Sequence, residues 1–257
     1  MVARRSVLKG AAGLSLAGLL ADPDAVRAAA RSLNTVTMTM PPDDERVRAE
    51  MAVPRTTPAP AVLLIHEWWG LNDQIRAVAA DLADAGYVAL AVDLFDGQVA
   101  QTPDEARALV DAVDEQQATR ILAFWIGWLK EVGLTTGRVA TLGWCFGGGW
   151  SLRAALAAPV DAAVVYYGRV PDNPTQLRRL DGPVLGHFAT QDRWINRSMV
   201  ESFTAAMREA DQPYEVYWYD ADHAFANPTG GNYDRADARL AWDRTMAFLD
   251  THLRGAP

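Results

Sequence analysis

The sequence predicts an α/β fold with a mostly parallel central sheet flanked by helices on both faces. Several apolar runs have the length of a strand that is covered on both sides, for example "AVLLIH" at 61–66. Stretches with helical character separate most of these runs, and strands that alternate with helices indicate a parallel sheet between helical layers. The length of 257 residues and the 50% hydrophobic content fit one large domain, which we place at 31–257.

The first half of this domain begins with two alternating segments and continues with buried elements. Alternation of polar and apolar residues predicts half-buried strands at 36–40 and 47–53, with "PPDDE" as the turn between them. Continuous apolar runs predict further strands at 61–66 and 87–94. The predicted helices are 75–85, which Gly86 ends, 104–114, which Pro103 starts, and 116–130.

The second half continues the alternation of strands and helices. Its predicted strands are 138–144, 162–168, 183–189 and 214–220. Its predicted helices are 147–156, 197–209 and 233–253. Trp242, Met246 and Leu249 form an apolar stripe on the last of these helices, so we expect that face to pack on the sheet.

The first thirty residues differ from the rest and predict a signal peptide. Arg4 and Arg5 precede an apolar stretch at 11–21, and the small residues at 28–30 could serve as a cleavage site. The apolar stretch is too short to span a membrane. The paired arginines resemble a twin-arginine signal, so we expect export to the periplasm or the exterior and a mature chain that begins near Arg31. The alternative is a basic N-terminus followed by an alanine-rich helix.

Charge and cysteine content exclude several classes of protein. The net charge is −8 and the pI is about 5.0, which argues against a nucleic-acid partner because such a partner needs a basic face. A domain of this size needs no disulfide or metal to fold. We expect a monomer that acts on a small molecule.

Cys145 is the only cysteine, and an unpaired cysteine in an exported protein suggests a reactive thiol.

The surroundings of Cys145 are those of a nucleophile. The segment "GWCFG" at 143–147 has the form G-x-S-x-G with sulfur in place of oxygen, and it lies between a predicted strand and a predicted helix. Gly143 and Gly147 leave room for the tight turn that this motif requires. The helix N-terminus would favour a thiolate at Cys145. The alternative is a glycine-rich joint with an inert cysteine.

Two residues later in the chain are suitable as acid and base. In hydrolases of this architecture the order is nucleophile, acid, base, and Asp192 and His223 both follow predicted strands in that order. The rival acids at the same strand end as His223 are Asp220 and Asp222. The histidines that fit less well, because they precede the nucleophile or lie inside a predicted strand or helix, are His66, His187 and His252.

The segment "HEWWGLN" at 66–72 follows the strand at which hydrolases of this type place an oxyanion donor. We therefore assign the two donors to the backbone amides of Trp68 and Phe146. Glu67 would be an acidic group in the pocket, with a solvated carboxylate at a strand end as the alternative. Trp68 and Trp69 could equally belong to the core. The side chains that we expect to line the substrate pocket are Trp69, Trp144, Phe225 and Asn227.

Five segments together resemble the dienelactone hydrolase (carboxymethylenebutenolidase) family of the α/β-hydrolase superfamily. They are "HEWWGLN", "DLFDGQVA", "GWCFGGG", "TQDRW" and "DHAFANP", in this order, and the resemblance covers about 36–253. It implies hydrolysis of lactones or small esters through a thioester on Cys145. His223 would be the base and then the acid, Asp192 would orient it, and Glu67 would help to activate the thiol. The resemblance implies no metal and no cofactor.

The chain departs from that family at two arginines that grip a substrate carboxylate. One lies where this chain has Asp96 and Gly97, and the other lies where it has Asn227. Each charge-assisted contact contributes roughly 1.5–3 kcal/mol. We therefore expect neutral lactones or esters as substrates, unless another arginine takes over this contact. The candidates are Arg76, Arg169 and Arg193.

Two other functions are compatible with the same residues. An acyltransferase would pass the thioester's acyl group to an alcohol instead of water. A binding protein of the periplasm would keep the pocket without turnover, but the presence of all three of Cys145, Asp192 and His223 argues against it.

Overall fold

A computed structural model describes residues 16–255, and within them eight strands form one sheet. Along the sheet the order is β1-β2-β4-β3-β5-β6-β7-β8. The first two strands are antiparallel to their neighbours and all later strands are parallel, as the predicted fold class requires. In chain order the strands are β1 Asn34–Met40, β2 Glu45–Ala52, β3 Ala59–Ile65, β4 Val88–Val92, β5 Thr135–Trp144, β6 Ala162–Tyr166, β7 Val184–Ala189 and β8 Tyr214–Tyr219.

The helices cover both faces of this sheet. They are α1 Leu16–Leu20, α2 Pro23–Ala30, α3 Asp73–Asp84, α4 Pro103–Asp111, α5 Glu115–Glu131, α6 Phe146–Ala157, α7 Pro174–Leu177, α8 Arg197–Glu209 and α9 Arg235–Leu249. The predicted closing helix is shorter than expected, because its last turn is a π-helix at Asp250–Arg254. The predicted helix 104–114 also ends early, since Asp114 caps the start of α5 through its side chain. The short helix α7 has no counterpart among the predicted helices.

Alternation along the strands divides the apolar side chains between two cores. On β3, Leu63 and Ile65 belong to the core shared with α5, α6 and α8, whereas Val62 and Leu64 belong to the core shared with α3 and α9. Successive strand residues point to opposite faces, so a strand covered on both sides must be apolar throughout. The stripe predicted on the closing helix packs on the second core, with Leu249 fully buried.

Most of the expected signal peptide, residues 1–15, lies outside the described residues. The remainder, residues 16–30, forms α1 and α2, and Leu16 and Leu20 pack at the edge of the second core. Within 16–255, no helix is long and apolar enough to cross a membrane.

The carboxyl ends of the parallel strands gather the chemically distinctive residues at one edge of the sheet. Glu67 follows β3, Cys145 follows β5, Tyr167 follows β6, Asp192 follows β7 and His223 follows β8. In open α/β sheets this edge is where ligands bind, because loops from neighbouring parallel strands meet there.

Candidate active site

Cys145 sits in a strained turn between β5 and α6, with φ 53° and ψ −116°. A β-carbon at Gly143 would collide with the Gly147 carbonyl oxygen, and one at Gly147 would collide with the carbonyl oxygens of Ile65 and His66. Both glycines are therefore required for the close approach of helix and strands. A non-glycine residue at such a φ costs about 1–3 kcal/mol, which the surrounding packing must offset. This geometry exposes the Cys145 side chain at the end of the sheet.

The structure brings Cys145, His223 and Asp192 together in a continuous chain of contacts. The His223 Nε2 atom is 3.2 Å from the Cys145 Sγ atom, and His223 Nδ1 is 2.6 Å from Asp192 Oδ2. The other carboxylate oxygen, Asp192 Oδ1, accepts hydrogen bonds from the amides of Trp194 at 2.8 Å and Ile195 at 2.9 Å. Four directed contacts therefore hold the imidazole between the sulfur and a buried carboxylate.

This arrangement favours the charged forms of His223 and Asp192. Burial by itself would lower the pKa of His223, but the contacts with Asp192 and Cys145 outweigh it and raise the pKa to about 10. Burial would raise the pKa of Asp192, yet the hydrogen bonds from His223 and the two amides bring it below its usual value. At neutral pH the imidazole is therefore positive, and a positive charge beside sulfur stabilises a thiolate.

The rival acids lie near His223 in sequence but do not contact its ring. Asp220 accepts hydrogen bonds from the side chains of Thr190 and Gln191, at 3.1 and 3.2 Å. Asp222 accepts one from the backbone amide of His223 at 2.7 Å. Of the three acids, Asp192 is the one that forms a hydrogen bond with the His223 imidazole within 16–255.

The rival histidines have other roles in the described part of the chain. His187 is buried between Tyr219 and Thr245, with hydrogen bonds of 2.8 and 3.0 Å. His66 is also buried, and its Nδ1 donates to the Glu67 carbonyl oxygen at 2.6 Å while its Nε2 accepts from the Leu94 amide at 3.2 Å. His66 therefore fixes the backbone of the loop that carries Glu67. The third, His252, packs its ring on Phe248.

Glu67 is a buried acid and not the solvated carboxylate of the alternative hypothesis, since only 3% of it is exposed. The Asn227 amide nitrogen donates to its carboxylate, and the Tyr167 hydroxyl donates at 3.4 Å. Burial raises the pKa of Glu67 to about 7, although the charge of His223 and these two hydrogen bonds act in the opposite direction. Glu67 therefore titrates near neutral pH.

The Asn227 amide can present only its nitrogen to Glu67. Its oxygen accepts hydrogen bonds from the Thr229 amide at 2.9 Å and the Thr229 hydroxyl at 2.7 Å. Because a backbone amide can only donate, these bonds identify which end of the Asn227 side chain is oxygen. Thr229 therefore orients Asn227 so that its neutral amide nitrogen faces the buried carboxyl group of Glu67.

Replacing Glu67 with glutamine should stabilise the protein at alkaline pH. The pKa of Glu67 is about 7 in the folded protein against an ordinary value of 4.5, so the proton favours folding. That contribution is fully present below pH 4.5 and is lost as the pH rises through 7. At about 1.4 kcal/mol per tenfold change in proton affinity, the Glu67→Gln protein should gain on the order of 3 kcal/mol in free energy of unfolding at about pH 8, and at most about 1 kcal/mol at about pH 5.

Urea unfolding at the two pH values measures this difference. Glu115→Gln is the matched control, because Glu115 lies on the same cavity wall but forms an exposed ion pair with Arg153. We expect no pH-dependent gain in the control. An equal effect of Glu67→Gln at both pH values would show that the native acid is not held protonated by burial.

A cavity of about 1220 Å³ opens above Cys145. Trp69 and Asn227 lie on its wall. Trp144 and Phe225 do not, and this part of the prediction is wrong. The other wall residues that bear on the chemistry are Glu67, Trp68, Phe146, Tyr167, Arg169, Trp194 and His223.

The two misplaced aromatic residues belong to the second core. Trp144 shares the face of β5 with Ala140 and Leu142, and its ring lies 5.5 Å from that of Tyr166. Strand alternation therefore directs it away from the cavity. Phe225 is fully buried, with ring distances of 5.4 Å to Tyr167 and 4.8 Å to Tyr219.

Trp68 and Phe146, the expected sources of oxyanion donors, both lie on the cavity wall with Cys145. Phe146 is the first residue of α6, and amides in the first turn of a helix have no acceptor within that helix. Its N–H group is therefore available to a ligand oxygen, consistent with the expected role.

Tyr167 and Trp194 also belong to the site, although neither was among the site residues predicted from the sequence. Their rings lie 5.2 and 5.1 Å from the ring of His223. Tyr167 has φ 35° and is followed by Gly168, where a β-carbon would collide with α6. The signal for Tyr167 was its place near the carboxyl end of the predicted strand 162–168, and the signal for Trp194 was its place in "TQDRW", two residues beyond Asp192.

Of the three arginines that could replace the missing carboxylate contacts, only Arg169 lies on the cavity wall. Arg76 instead pairs with Asp73 at 3.2 Å and with Glu50 at 3.8 Å. Arg193 is exposed and lies outside the described cavity wall.

Comparison with known proteins agrees with this fold. The model of the dienelactone hydrolase family matches residues 47–253. The carboxymethylenebutenolidase of Pseudomonas putida is 28% identical over 224 residues, which is 80% of this chain and 92% of that protein. The protein usf of Aquifex pyrophilus is 30% identical over 219 residues, covering 81% of this chain and 94% of that protein.

A solved structure adds independent support for the fold. The dienelactone hydrolase-like promiscuous phosphotriesterase P91, from metagenomic libraries, superposes with a TM-score of 0.74 at 23% identity, over 86% of this chain and 99% of that one. Because the family model matches nearly all of the predicted domain, this chain belongs to the dienelactone hydrolase family and has the α/β-hydrolase fold.

Proposed function

We propose that the protein is a cysteine-dependent hydrolase of lactones or small esters that works through a thioester on Cys145. The observation that carries the proposal is the chain of contacts from Cys145 Sγ through the two ring nitrogens of His223 to Asp192, at 3.2 and 2.6 Å. Family membership supports ester or lactone hydrolysis as the reaction class. The large cavity above the sulfur gives a substrate access to it.

In the first half of the reaction the thiolate of Cys145 attacks the acyl carbon. The carbonyl oxygen becomes negative, and the amides of Trp68 and Phe146 stabilise it. When the tetrahedral intermediate collapses, the bond between carbon and the leaving oxygen breaks. His223 gives its Nε2 proton to that oxygen, and the acyl group remains on sulfur. From an ester the alcohol leaves, whereas in a lactone the released hydroxyl stays joined to the acyl group.

In the second half a water molecule replaces the alcohol. His223, now neutral, takes a proton from the water as hydroxide attacks the thioester carbon. The bond between carbon and sulfur breaks, and the acid product leaves while the thiolate and the protonated His223 are restored. Asp192 keeps the imidazole in the orientation that both proton transfers need.

The substrate is neutral at the positions where relatives of this family grip a carboxylate. Asn227 is a neutral donor engaged with Glu67, and neither Asp96 nor Gly97 lies on the described cavity wall. We therefore expect kcat/KM for a lactone and for its carboxylated analogue to agree within about fivefold, since neither of these positions carries an arginine that could bind the charged form. Steady-state hydrolysis of such a matched pair measures this.

The variant Arg169→Gln is the control for the lactone pair, because Arg169 is the one candidate arginine on the cavity wall. A strong preference of the native protein for the carboxylated lactone would contradict the expected specificity for neutral substrates. If that preference disappeared in the variant, Arg169 would be the residue that binds the carboxylate. Failure of the native protein to hydrolyse any ester or lactone would overturn the proposed function itself.

We also propose that the protein is exported through a twin-arginine-type signal at its N-terminus. The support is the order of Arg4 and Arg5, an apolar stretch and small residues. Cell fractionation of the native chain and of the Arg4→Lys, Arg5→Lys double variant tests the proposal. A chain that stays in the cytoplasm in both cases would contradict it.

A further inference from the structure

Trp194 is the most exposed of the large hydrophobic side chains described, with 68% of its surface accessible. It nevertheless belongs to the wall of the active-site cavity. Leaving an indole in water forgoes the stabilisation that burial of such a large apolar surface would provide. An exposed aromatic side chain beside a catalytic centre is therefore a candidate for contact with a ligand.

The position of Trp194 is tied to the residues that transfer the proton. Its backbone amide donates to Asp192 Oδ1 at 2.8 Å, which is the carboxylate that holds His223. Its ring stands edge-on to the ring of His223, with centroids 5.1 Å apart and an angle of 76° between the planes. The indole and the imidazole therefore border the same part of the cavity.

The chemistry determines which part of an ester lies there. The leaving oxygen takes its proton from His223 Nε2, so it must come within hydrogen-bond reach of that atom. The alcohol part of the ester is attached to this oxygen and consequently lies on the His223 side of the cavity. The carbonyl oxygen of the ester, in contrast, points to the backbone amides of Trp68 and Phe146.

Apolar side chains that follow Trp194 in the sequence also lie on the cavity wall. Ile195 and Met199 lie on the same wall, and Met199 offers a flexible, polarisable thioether. Ile195 is held in place through its amide, which donates to Asp192 at 2.9 Å. The His223 side of the cavity is thus suited to a flat, apolar alcohol.

We propose that Trp194 forms a subsite for the alcohol part of the substrate, and that this part is aromatic. The inference rests on the proposed hydrolase function and extends it to the leaving group. Trp194 then determines specificity in the step that forms the thioester. With an ester it has no role in hydrolysis of the thioester, because the alcohol has already left.

Two acetate esters separate this role from simple support of the active site. Phenyl acetate and trifluoroethyl acetate form the same acetyl thioester and differ only in the leaving alcohol. In Trp194→Ala, kcat/KM for phenyl acetate should fall about tenfold, as expected for loss of one aromatic contact, and that for trifluoroethyl acetate should change less than about twofold. Trp194→Phe should retain most of the activity on phenyl acetate. Leu240→Ala, which alters another exposed hydrophobic residue outside the described cavity wall, should change neither ester.

Protection of Cys145 from alkylation provides a test that does not depend on turnover. Benzyl alcohol should slow the reaction of iodoacetamide with Cys145 in the native protein and in Trp194→Phe, but not in Trp194→Ala. An equal loss of activity on both acetates would overturn the proposal, as would unchanged activity on both. If the native protein hydrolyses neither acetate but shows the expected protection, the proposed function fails and the aromatic subsite stands.

Discussion

Replacing Cys145 with serine should lower kcat/KM for a p-nitrophenyl ester by roughly a thousandfold or more, because the covalent route is lost. The sulfur at this position lies 3.2 Å from Nε2 of His223, whose raised pKa keeps the imidazole positive at neutral pH. A serine hydroxyl ionises far less readily and needs an imidazole that is neutral and able to accept its proton. A His223 that holds its proton at neutral pH is therefore suited to a thiol and unsuited to a hydroxyl.

The Cys145→Ala variant completes this experiment. It removes the nucleophile without adding a hydroxyl, and its activity should be no higher than that of the serine variant. Circular dichroism and urea unfolding of both variants check that the strained turn at φ 53° is retained. If the Cys145→Ser variant had native activity, the site would work by attack of an oxygen nucleophile that a base assists. Full activity of the alanine variant would remove Cys145 from the mechanism.

Asp192→Asn should lower kcat by about 10²- to 10⁴-fold without unfolding the protein, as expected for loss of the group that orients a catalytic histidine. Asparagine can keep the two hydrogen bonds that Asp192 Oδ1 accepts from Trp194 and Ile195. Its amide nitrogen then faces His223 Nδ1 as a donor, where the native carboxylate oxygen accepts at 2.6 Å. The imidazole is forced to accept at Nδ1, so its proton moves to Nε2 and the ring can no longer take a proton from water.

The neighbouring acid provides the matched control for this variant. Asp222→Asn leaves the ring of His223 untouched, since within residues 16–255 Asp222 accepts only from the backbone amide of His223, at 2.7 Å. We expect native activity in that variant and a pH profile that is unchanged. The opposite pattern, with loss in Asp222→Asn and native rates in Asp192→Asn, would assign the orienting role to the rival acid.

The sequence identified those features of the fold and site that depend on local pattern. Continuous apolar runs predicted the buried strands because a parallel strand is covered on both faces. The glycines around Cys145 predicted the turn because no side chain fits there, and the β-carbon collisions at Gly143 and Gly147 confirm it. The order of Asp192 and His223 after their strands sufficed to place both beside Cys145, since parallel strands end at one edge.

Only the tertiary structure decided which way several of the aromatic and acidic side chains point. Trp144 was expected in the pocket, but β5 turns it to the core shared with Tyr166. Phe225 follows a residue with positive φ, Ala224, and a backbone reversal of that kind has no reliable signature in a sequence without glycine at the position.

Glu67 shows the same limit for electrostatics. Its sequence neighbours do not indicate whether the carboxylate is solvated, whereas the structure buries it against Asn227, which comes from a distant loop. The sequence by itself therefore determined the fold, the strained turn and the order of the three residues that it brings together, because these depend on spacing along the chain. The burial that raises the pKa of Glu67 and the placement of Trp194 beside His223 depend on packing between distant segments, and only the tertiary structure could decide them.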